Sequence, residues 1–251
     1  MTTYADYGHQ FAHIYDGLFP RSHVSARQVD WMIAQLPQSD HPLIVEFGVG
    51  TGRVALPVAA ALAGRDLQFL GVDVSQEMLD ALRRSDLTGL VTPMLADVTE
   101  QVPATGADLV LCVCATISMI TDQDRQEAAF SNAAATLRPG GVLVVETHNP
   151  TLVKTMHTHG HATLAIPYEG ERRVLVSFCE LDFPIWNVDH CWIEGDKATF
   201  ASEVSRLTSL EELDGYASRT GLELVGHFAG LDGSVDLAQA PTITAVYRRR
   251  E

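Results

Sequence analysis

What the chain lacks narrows its class. No apolar run among its 251 residues reaches the length of a helical membrane span. The opening residues, Met1-Thr2-Thr3-Tyr4-Ala5-Asp6, do not have the basic-then-apolar form of a secretory leader. The expectation is a cytoplasmic protein with no membrane partner. Cysteine is scarce: there are four, and no C-x-x-C pair occurs. Cys112 and Cys114 alternate along an apolar run and read as reduced, buried thiols, so neither a disulfide nor a cysteine metal site is expected. Basic residues are few, with 17 Lys and Arg against 32 Asp and Glu, a formal charge of −15. The one basic cluster is Arg248-Arg249-Arg250. A protein that grips a phosphate backbone needs the opposite balance, which argues against nucleic acid as a partner. No internal repeat or low-complexity tract occurs. What remains is a chain with 46% hydrophobic residues, able to bury a sizeable core and suited to a small-molecule substrate.

The most informative segment is Val45-Glu46-Phe47-Gly48-Val49-Gly50-Thr51-Gly52-Arg53. An apolar run from Leu43 leads into it, and Val54 to Leu62 reads as a helix with Pro57 in its early turns. Glycines between a strand and a helix let the main chain take positive φ and let a ligand come close, while the helix start offers unpaired N–H groups. A nucleotide-like cofactor is the first expectation. A dinucleotide fingerprint spaces its glycines G-x-G-x-x-G. Here the spacing is Gly48-x-Gly50-x-Gly52, with Glu46 two places earlier. A carboxylate repels a pyrophosphate but suits a zwitterion that carries an ammonium group.

This E-x-G-x-G-x-G pattern resembles motif I of the class I S-adenosylmethionine-dependent methyltransferases. Three further segments follow in the family's order: Leu67 to Ser75, a strand ending in Asp73 with Ser75 placed to cap the next helix; Val91 to Val98, containing Asp97; and Leu137 to Glu146 around Pro139-Gly140-Gly141. The resemblance covers roughly residues 43 to 147. It implies an α/β fold with a Rossmann-like seven-stranded mixed sheet, five parallel strands plus an antiparallel edge hairpin.

The division expected along the chain is an N-terminal helical lid over 1–40, the cofactor-binding core over 41–150, a small antiparallel β insert after strand five over 151–206, and a C-terminal helix with the last two strands over 207–251. In the lid, about His9 to Phe19 and Ser22 to Leu36 show helical spacing. A further helix runs from Asp122 to Leu137, and Thr208-Ser209-Leu210-Glu211 reads as a capping box. In the insert, Arg173–Leu181, Val188–Glu194 and Lys197–Val204 read as three strands, the last two joined by a Gly195-Asp196 turn. The insert is expected to wall the substrate pocket or to form a dimer surface, so the chain is taken as a monomer or homodimer. Trp186, Trp192 and Phe200 are open to substrate contact, with packing the stronger expectation.

By resemblance, the backbone at Gly48, Gly50 and Gly52 and the Glu46 carboxylate hold the methionine end of S-adenosyl-L-methionine, whose product is S-adenosyl-L-homocysteine. Asp73, followed by Val74, takes the ribose hydroxyls, Asp97 and the Val98 backbone take the adenine, and Met78 packs on its ring. Tyr15 closes over the methionine portion, while Arg53 is open to pairing with a carboxylate but is expected to face solvent along the helix. Small-molecule enzymes with such an insert include dimethylases of aminosugars for natural products, and Tyr15-Asp16 matches their lid. Phe19 and Met119 stand where those enzymes carry a Tyr and a His, so their specificity does not carry over. The N-P-P-Y-like tetrapeptide of base-modifying relatives is absent after strand four, where the chain reads Cys114-Ala115-Thr116-Ile117-Ser118.

His148, just past strand five, is the candidate base or orienting group, flanked by Thr147 and Asn149 as substrate-binding candidates, with Trp192 as a third. His157-x-His159-x-His161 has no acidic ligand nearby and is read as a solvated loop, so no metal is expected. Methyl transfer to N, O or C of a small acceptor is the reading, with natural-product biosynthesis as its setting. A cofactor-binding protein of this fold that runs another reaction, or senses the cofactor, stands beside it. A nicotinamide oxidoreductase is disfavoured by the glycine spacing.

Overall fold

The computed structural model describes residues 4–168 and 173–251. The lid is more broken than the sequence suggests: α1 (Tyr4–Phe11), α2 (Tyr15–Leu18), a 3-10 turn at Arg21–His23 and α3 (Ala26–Ala34). Ser25 sets the start of α3 through a capping box. Its hydroxyl accepts the Gln28 N–H, and the Gln28 side chain accepts the Ser25 N–H.

The core then alternates strand and helix: β1 (Leu43–Phe47), α4 (Ala55–Ala61), β2 (Gln68–Asp73), α5 (Gln76–Ser85), β3 (Thr92–Leu95), β4 (Ala107–Cys112), α6 (Thr116–Met119), α7 (Gln123–Thr136) and β5 (Leu137–His148). After the insert come α9 (Leu210–Arg219), β10 (Leu222–Phe228) and β11 (Thr242–Arg249). The sheet order is β10-β11-β5-β4-β1-β2-β3, with β1 to β5 parallel and β11 antiparallel to both β5 and β10. This is the expected Rossmann-like sheet. Every residue of β4 is buried, because apolar layers cover both of its faces. Val45, Val110, Phe130 and Tyr247 lie in one layer, and Ile44, Leu79, Leu109 and Val144 in the other. The strand order reverses between β1 and β4, and such a reversal opens a crevice at the carboxyl ends of the strands.

Between β5 and α9 lie α8 (Pro150–Met156) and four strands, β6 (His161–Tyr168), β7 (Arg173–Asp182), β8 (Ile185–Glu194) and β9 (Lys197–Arg206), paired antiparallel in sequence order. The sequence reading found three of them. It missed β6, an edge strand with no fully buried residue and a Pro at 167, which leaves little apolar alternation to detect. The Gly195-Asp196 turn joins β8 and β9 as expected, with Glu194 paired to Lys197. Trp186, Val188 and Trp192 face inward, toward α8 and the lid. Phe200 points away and is 72% exposed.

Polar ties fix the insert to the rest. Arg206 donates to Glu212 Oε1 at 2.6 Å and to Thr208 Oγ1 at 3.2 Å, and the Thr208 hydroxyl donates to Gln126 of α7 at 3.0 Å. The capping box of α9 is Ser209 with Glu212, one residue later than the Thr208…Glu211 reading. On the lid side, the Ser202 N–H donates to Gln10 Oε1 of α1 at 2.9 Å. Among the described residues no helix is long and apolar enough to cross a membrane.

Gly52 belongs to the packing of this core. Its φ is +81°, and a Cβ there would meet Leu82 Cδ1 at 2.5 Å and Leu56 Cγ at 3.0 Å. Left-handed strain and overpacking together set the expected cost of Gly52→Ala at about 2–4 kcal/mol. Urea unfolding should show a lower midpoint at unchanged m-value. An unshifted midpoint would refute this packing role.

Candidate active site

A cavity of about 450 Å³ opens where the carboxyl ends of β1, β2, β4 and β5 meet the lid and β9. Its geometry begins with Asp73, the last residue of β2. The Gly48 and Val49 N–H groups donate to the Val72 carbonyl at 2.8 and 3.0 Å. Asp73 Oδ2 accepts the Gly50 N–H at 2.8 Å and Oδ1 accepts the Ser75 N–H at 2.9 Å. Burial raises the Asp73 pKa above its ordinary value, and these backbone bonds oppose the rise. Gly50, at φ +55°, has nothing within 4 Å of the point where a Cβ would stand, so its main chain faces open space. Gly48 and Gly50 line the cavity. Gly52, expected there, does not, because it packs on Leu82 as described.

Val74, Met78, Asp97 and Val98 continue this wall. Asp97 Oδ1 accepts the Thr99 N–H at 2.8 Å and the Thr99 hydroxyl at 2.7 Å, while Oδ2 accepts Arg125 Nη2 at 2.6 Å. The Val98 carbonyl accepts Asn132 Nδ2 at 2.8 Å. Ser75 caps α5 by accepting the Met78 N–H, and Gly8 of α1 lies so close to Ser75 that a Cβ there would stand 2.0 Å from its Oγ.

Two expectations about charge are corrected. Glu46 does not line the cavity. It is 3% exposed, its side chain lies on the α4 side of β1, and its Oε2 has no hydrogen-bond partner. Burial pushes its pKa well above the ordinary carboxylate value, with Asp73 adding to the rise and Arg53 opposing it. Arg53, expected in solvent, lines the cavity instead. Its guanidinium carbon lies 5.5 Å from the Phe19 ring centroid and its Nε is buried without a partner. Arg53 lies in the turn before α4 and not on the helix, so a position that reads as helix surface points at the site.

The other half of the wall was largely invisible to the sequence reading. Glu146, on β5, accepts the Thr242 hydroxyl on Oε1 and the Cys114 N–H on Oε2, both at 2.7 Å. Burial raises its pKa, and those two donors oppose the shift. Cys114 and Ala115 sit at φ +54° and +59°. Two successive non-glycine residues in the left-handed region cost free energy that the surroundings must offset, and here they aim the Cys114 N–H at Glu146. Tyr7 and Tyr15 of the lid face the cavity, and burial raises both phenol pKa values. Glu203 reaches in from β9. An acid closing an apolar strand was a readable signal for Glu146. Glu203 had none, because its place depends on how the insert docks.

His148 is the last residue of β5, lines the cavity, and packs edge-on against Trp186 with ring centroids 5.1 Å apart. Its neighbours do not. Thr147 is fully buried and its hydroxyl pairs with Ser118 at 2.8 Å. Asn149 caps α8 through Oδ1 and donates to the Leu237 and Ala240 carbonyls. Trp192 packs with Phe11, Leu18 and Leu175. All three were substrate-binding candidates, and the structure places them in packing roles. His157 also leaves the loop reading. Its Nε2 accepts the Trp186 N–H at 3.1 Å and its Nδ1 lies 2.7 Å from the Val153 carbonyl, so both ring nitrogens are used.

Burial lowers the His148 pKa below 6.5, with the Glu203 carboxylate opposing. The unfolded chain therefore takes up this proton first as pH falls, and the stability tied to His148 is lost below pH about 6.5. Nuclear magnetic resonance titration should find His148 below the free imidazole value, and lower still in Glu203→Gln. A midpoint at or above 6.5 would contradict the buried, neutral ring.

A methyltransferase domain model matches residues 44–141. The CcbJ methyltransferase from Streptomyces caelestis is 26% identical, covers 100% of both chains, and superposes with a TM-score of 0.83. CalS10 from Micromonospora echinaspora, an amino pentose methyltransferase involved in calicheamicin biosynthesis and solved with its cofactor bound, is 20% identical over 94% of this chain and 96% of its own, with a TM-score of 0.73. UDP-N-acetyl-D-mannosamine dehydrogenase of Salmonella typhi is 30% identical over 116 residues, 41% of this chain. The chain spans only 27% of the length of that curated relative, and the dehydrogenase activity is not carried over with so partial a match. The glycine spacing, the acid at the end of β2 and the full-length likeness agree: residues 44–141 match a methyltransferase domain, and the chain as a whole has the Rossmann-like fold of the S-adenosylmethionine-dependent methyltransferases it is similar to.

Proposed function

We propose that the protein transfers the methyl group of S-adenosylmethionine to a nucleophilic atom of a small natural-product acceptor, with residues 151–206 capping the acceptor end of the cavity. The observation that carries this reading is the division of one cavity between two kinds of wall. Asp73, Asp97 and the glycine loop edge one part, and aromatic side chains with His148 and Glu203 edge the other. Bound S-adenosylmethionine supplies a methyl group already activated on a sulfonium, so the chain has chiefly to orient its guests and exclude water.

The donor sets fit that cofactor. Each Asp73 oxygen accepts one backbone N–H and keeps a lone pair, one for each ribose hydroxyl. Asp97 keeps an open site on Oδ2 for the adenine amino group, beside the Val98 backbone, with Val74 and Met78 against the ring. The main chain at Gly48 and Gly50 receives the methionine end, and the unpartnered Nε of Arg53 suits its carboxylate. Glu46 supports this end from behind the loop, and Tyr15 closes over it. His148, held neutral, accepts a hydrogen bond or a proton from the acceptor at a ring nitrogen. Phe19 and Met119 both line the cavity, which favours an acceptor less hydroxylated than a sugar.

Asp73 tests this reading. Losing charge-assisted bonds to a diol costs about 2–3 kcal/mol, so Asp73→Ala should weaken calorimetric binding of S-adenosylmethionine and S-adenosylhomocysteine roughly 30- to 150-fold. Circular dichroism of the variant separates this loss from unfolding. Unchanged affinity would remove Asp73 from the ribose site, and no binding by the parent protein would end the proposal.

A further inference from the structure

Glu203 stands apart from the other acids of the cavity wall. Asp73, Asp97 and Glu146 each accept two or three hydrogen bonds from the protein. Glu203 lines the same cavity with its side chain 16% exposed, and among the described residues no hydrogen-bond donor reaches it. Its nearest basic neighbour is His190 Nε2 at 3.6 Å, itself a buried atom without a hydrogen bond. The His190 ring is held from behind by the Ser177 hydroxyl, 2.8 Å from Nδ1. A largely buried carboxylate without donors is costly, and a guest that brings donors and positive charge relieves the cost.

The position of Glu203 is also fixed from both sides. The preceding Ser202 N–H is bonded to Gln10 of the lid. Two residues on, the Ser205 hydroxyl meets Met119 Sδ at 3.8 Å. The carboxylate is therefore presented at the seam where lid, insert and α6 meet, in the part of the cavity that also holds His148.

We infer that Glu203 selects the methyl acceptor, an amine that docks as its cation on a largely apolar framework and passes one N–H proton to a ring nitrogen of His148, freeing the lone pair that takes the methyl group as the sulfonium becomes the thioether of S-adenosylhomocysteine. This rests on the methyltransferase reading of the same cavity. An ammonium offers up to three N–H donors and a positive charge, an alcohol offers one donor and no charge, and a carboxylate or phosphate is repelled. The neutral ring of His148 adds an acceptor nitrogen for a second N–H of the guest, where an imidazolium would repel it. Tyr7, Tyr15, Phe19, Met119 and Ile120 supply apolar surface in the same cavity, which matches a hydrocarbon or aromatic body.

The test uses matched pairs of small aryl-alkyl amines and the alcohols and carboxylic acids of the same skeletons. Binding is measured by calorimetry on protein saturated with S-adenosylhomocysteine, and turnover with methyl-labelled S-adenosylmethionine. Amines should bind and be methylated at least about 10-fold better than the matched alcohols. Glu203→Gln should weaken amine binding and raise its KM on the order of 10- to 100-fold, with S-adenosylhomocysteine affinity and alcohol binding unmoved. Glu203→Asp should recover part of the preference. Failure of every amine to bind, a preference for alcohols or acids, or an amine preference intact in Glu203→Gln would each overturn the inference. Loss of S-adenosylhomocysteine binding by the parent protein is a different outcome, which overturns the methyltransferase reading instead.

Discussion

The bond between the Gly50 N–H and the Asp73 carboxylate is the constraint on which the rest of the site depends. A glycine loop is conformationally free, and freedom is a poor property in a surface meant to receive a rigid guest. Three main-chain N–H groups of the loop are pinned to the end of β2, two on the Val72 carbonyl and one on the Asp73 side chain. The other Asp73 oxygen holds the Ser75 N–H, and Ser75 caps α5. One carboxylate thus sets the loop, which runs on through Arg53 into α4, and the start of α5 that carries Met78. Burial makes its charge costly, so the same group that orders the empty site gains from a polar guest.

The sheet was legible because its signals are local. An apolar run, a glycine turn and a capping serine each act over a few residues, and β1, β2, β4 and β5 appear where such signals stand. Asp73, Asp97 and His148 could be read toward the cavity they line because they end or follow strands, where a side chain has little choice but to face the crevice. Thr147 and Asn149 flank His148 and were read with it. Alternation along β5 turns Thr147 to the opposite face, and Asn149 is taken by the start of α8. Glu46 was assigned by motif, but the β1 pleat puts it behind the loop. Arg53 was misread because the helix begins only at Ala55, so its periodicity says nothing about the turn before it, which faces the cavity.

The insert was the least legible part, for a physical reason. Its strands bury side chains against the lid, α8 and α6, elements distant in sequence, so inward and outward faces cannot be told apart before docking. Docking itself rests on a buried polar knot. Arg206, Thr208 and Gln126 join the end of β9 to α7, and Glu212 adds α9. Polar groups this deeply buried are tolerated only when mutually satisfied, which favours a single seating of the insert. That seating brings Glu203 of β9 to the cavity, although nothing in the local sequence marks it.

The bond from Ser202 to Gln10 ties two surfaces of the cavity together. Helix α1 carries Tyr7 and Gly8 over the mouth of the cavity, rests on Ser75 at the start of α5, and through Gln10 holds the strand that bears Glu203. Movement of this helix away from the mouth breaks that bond, so uncovering the β2 end of the cavity and loosening the wall that carries Glu203 are one event.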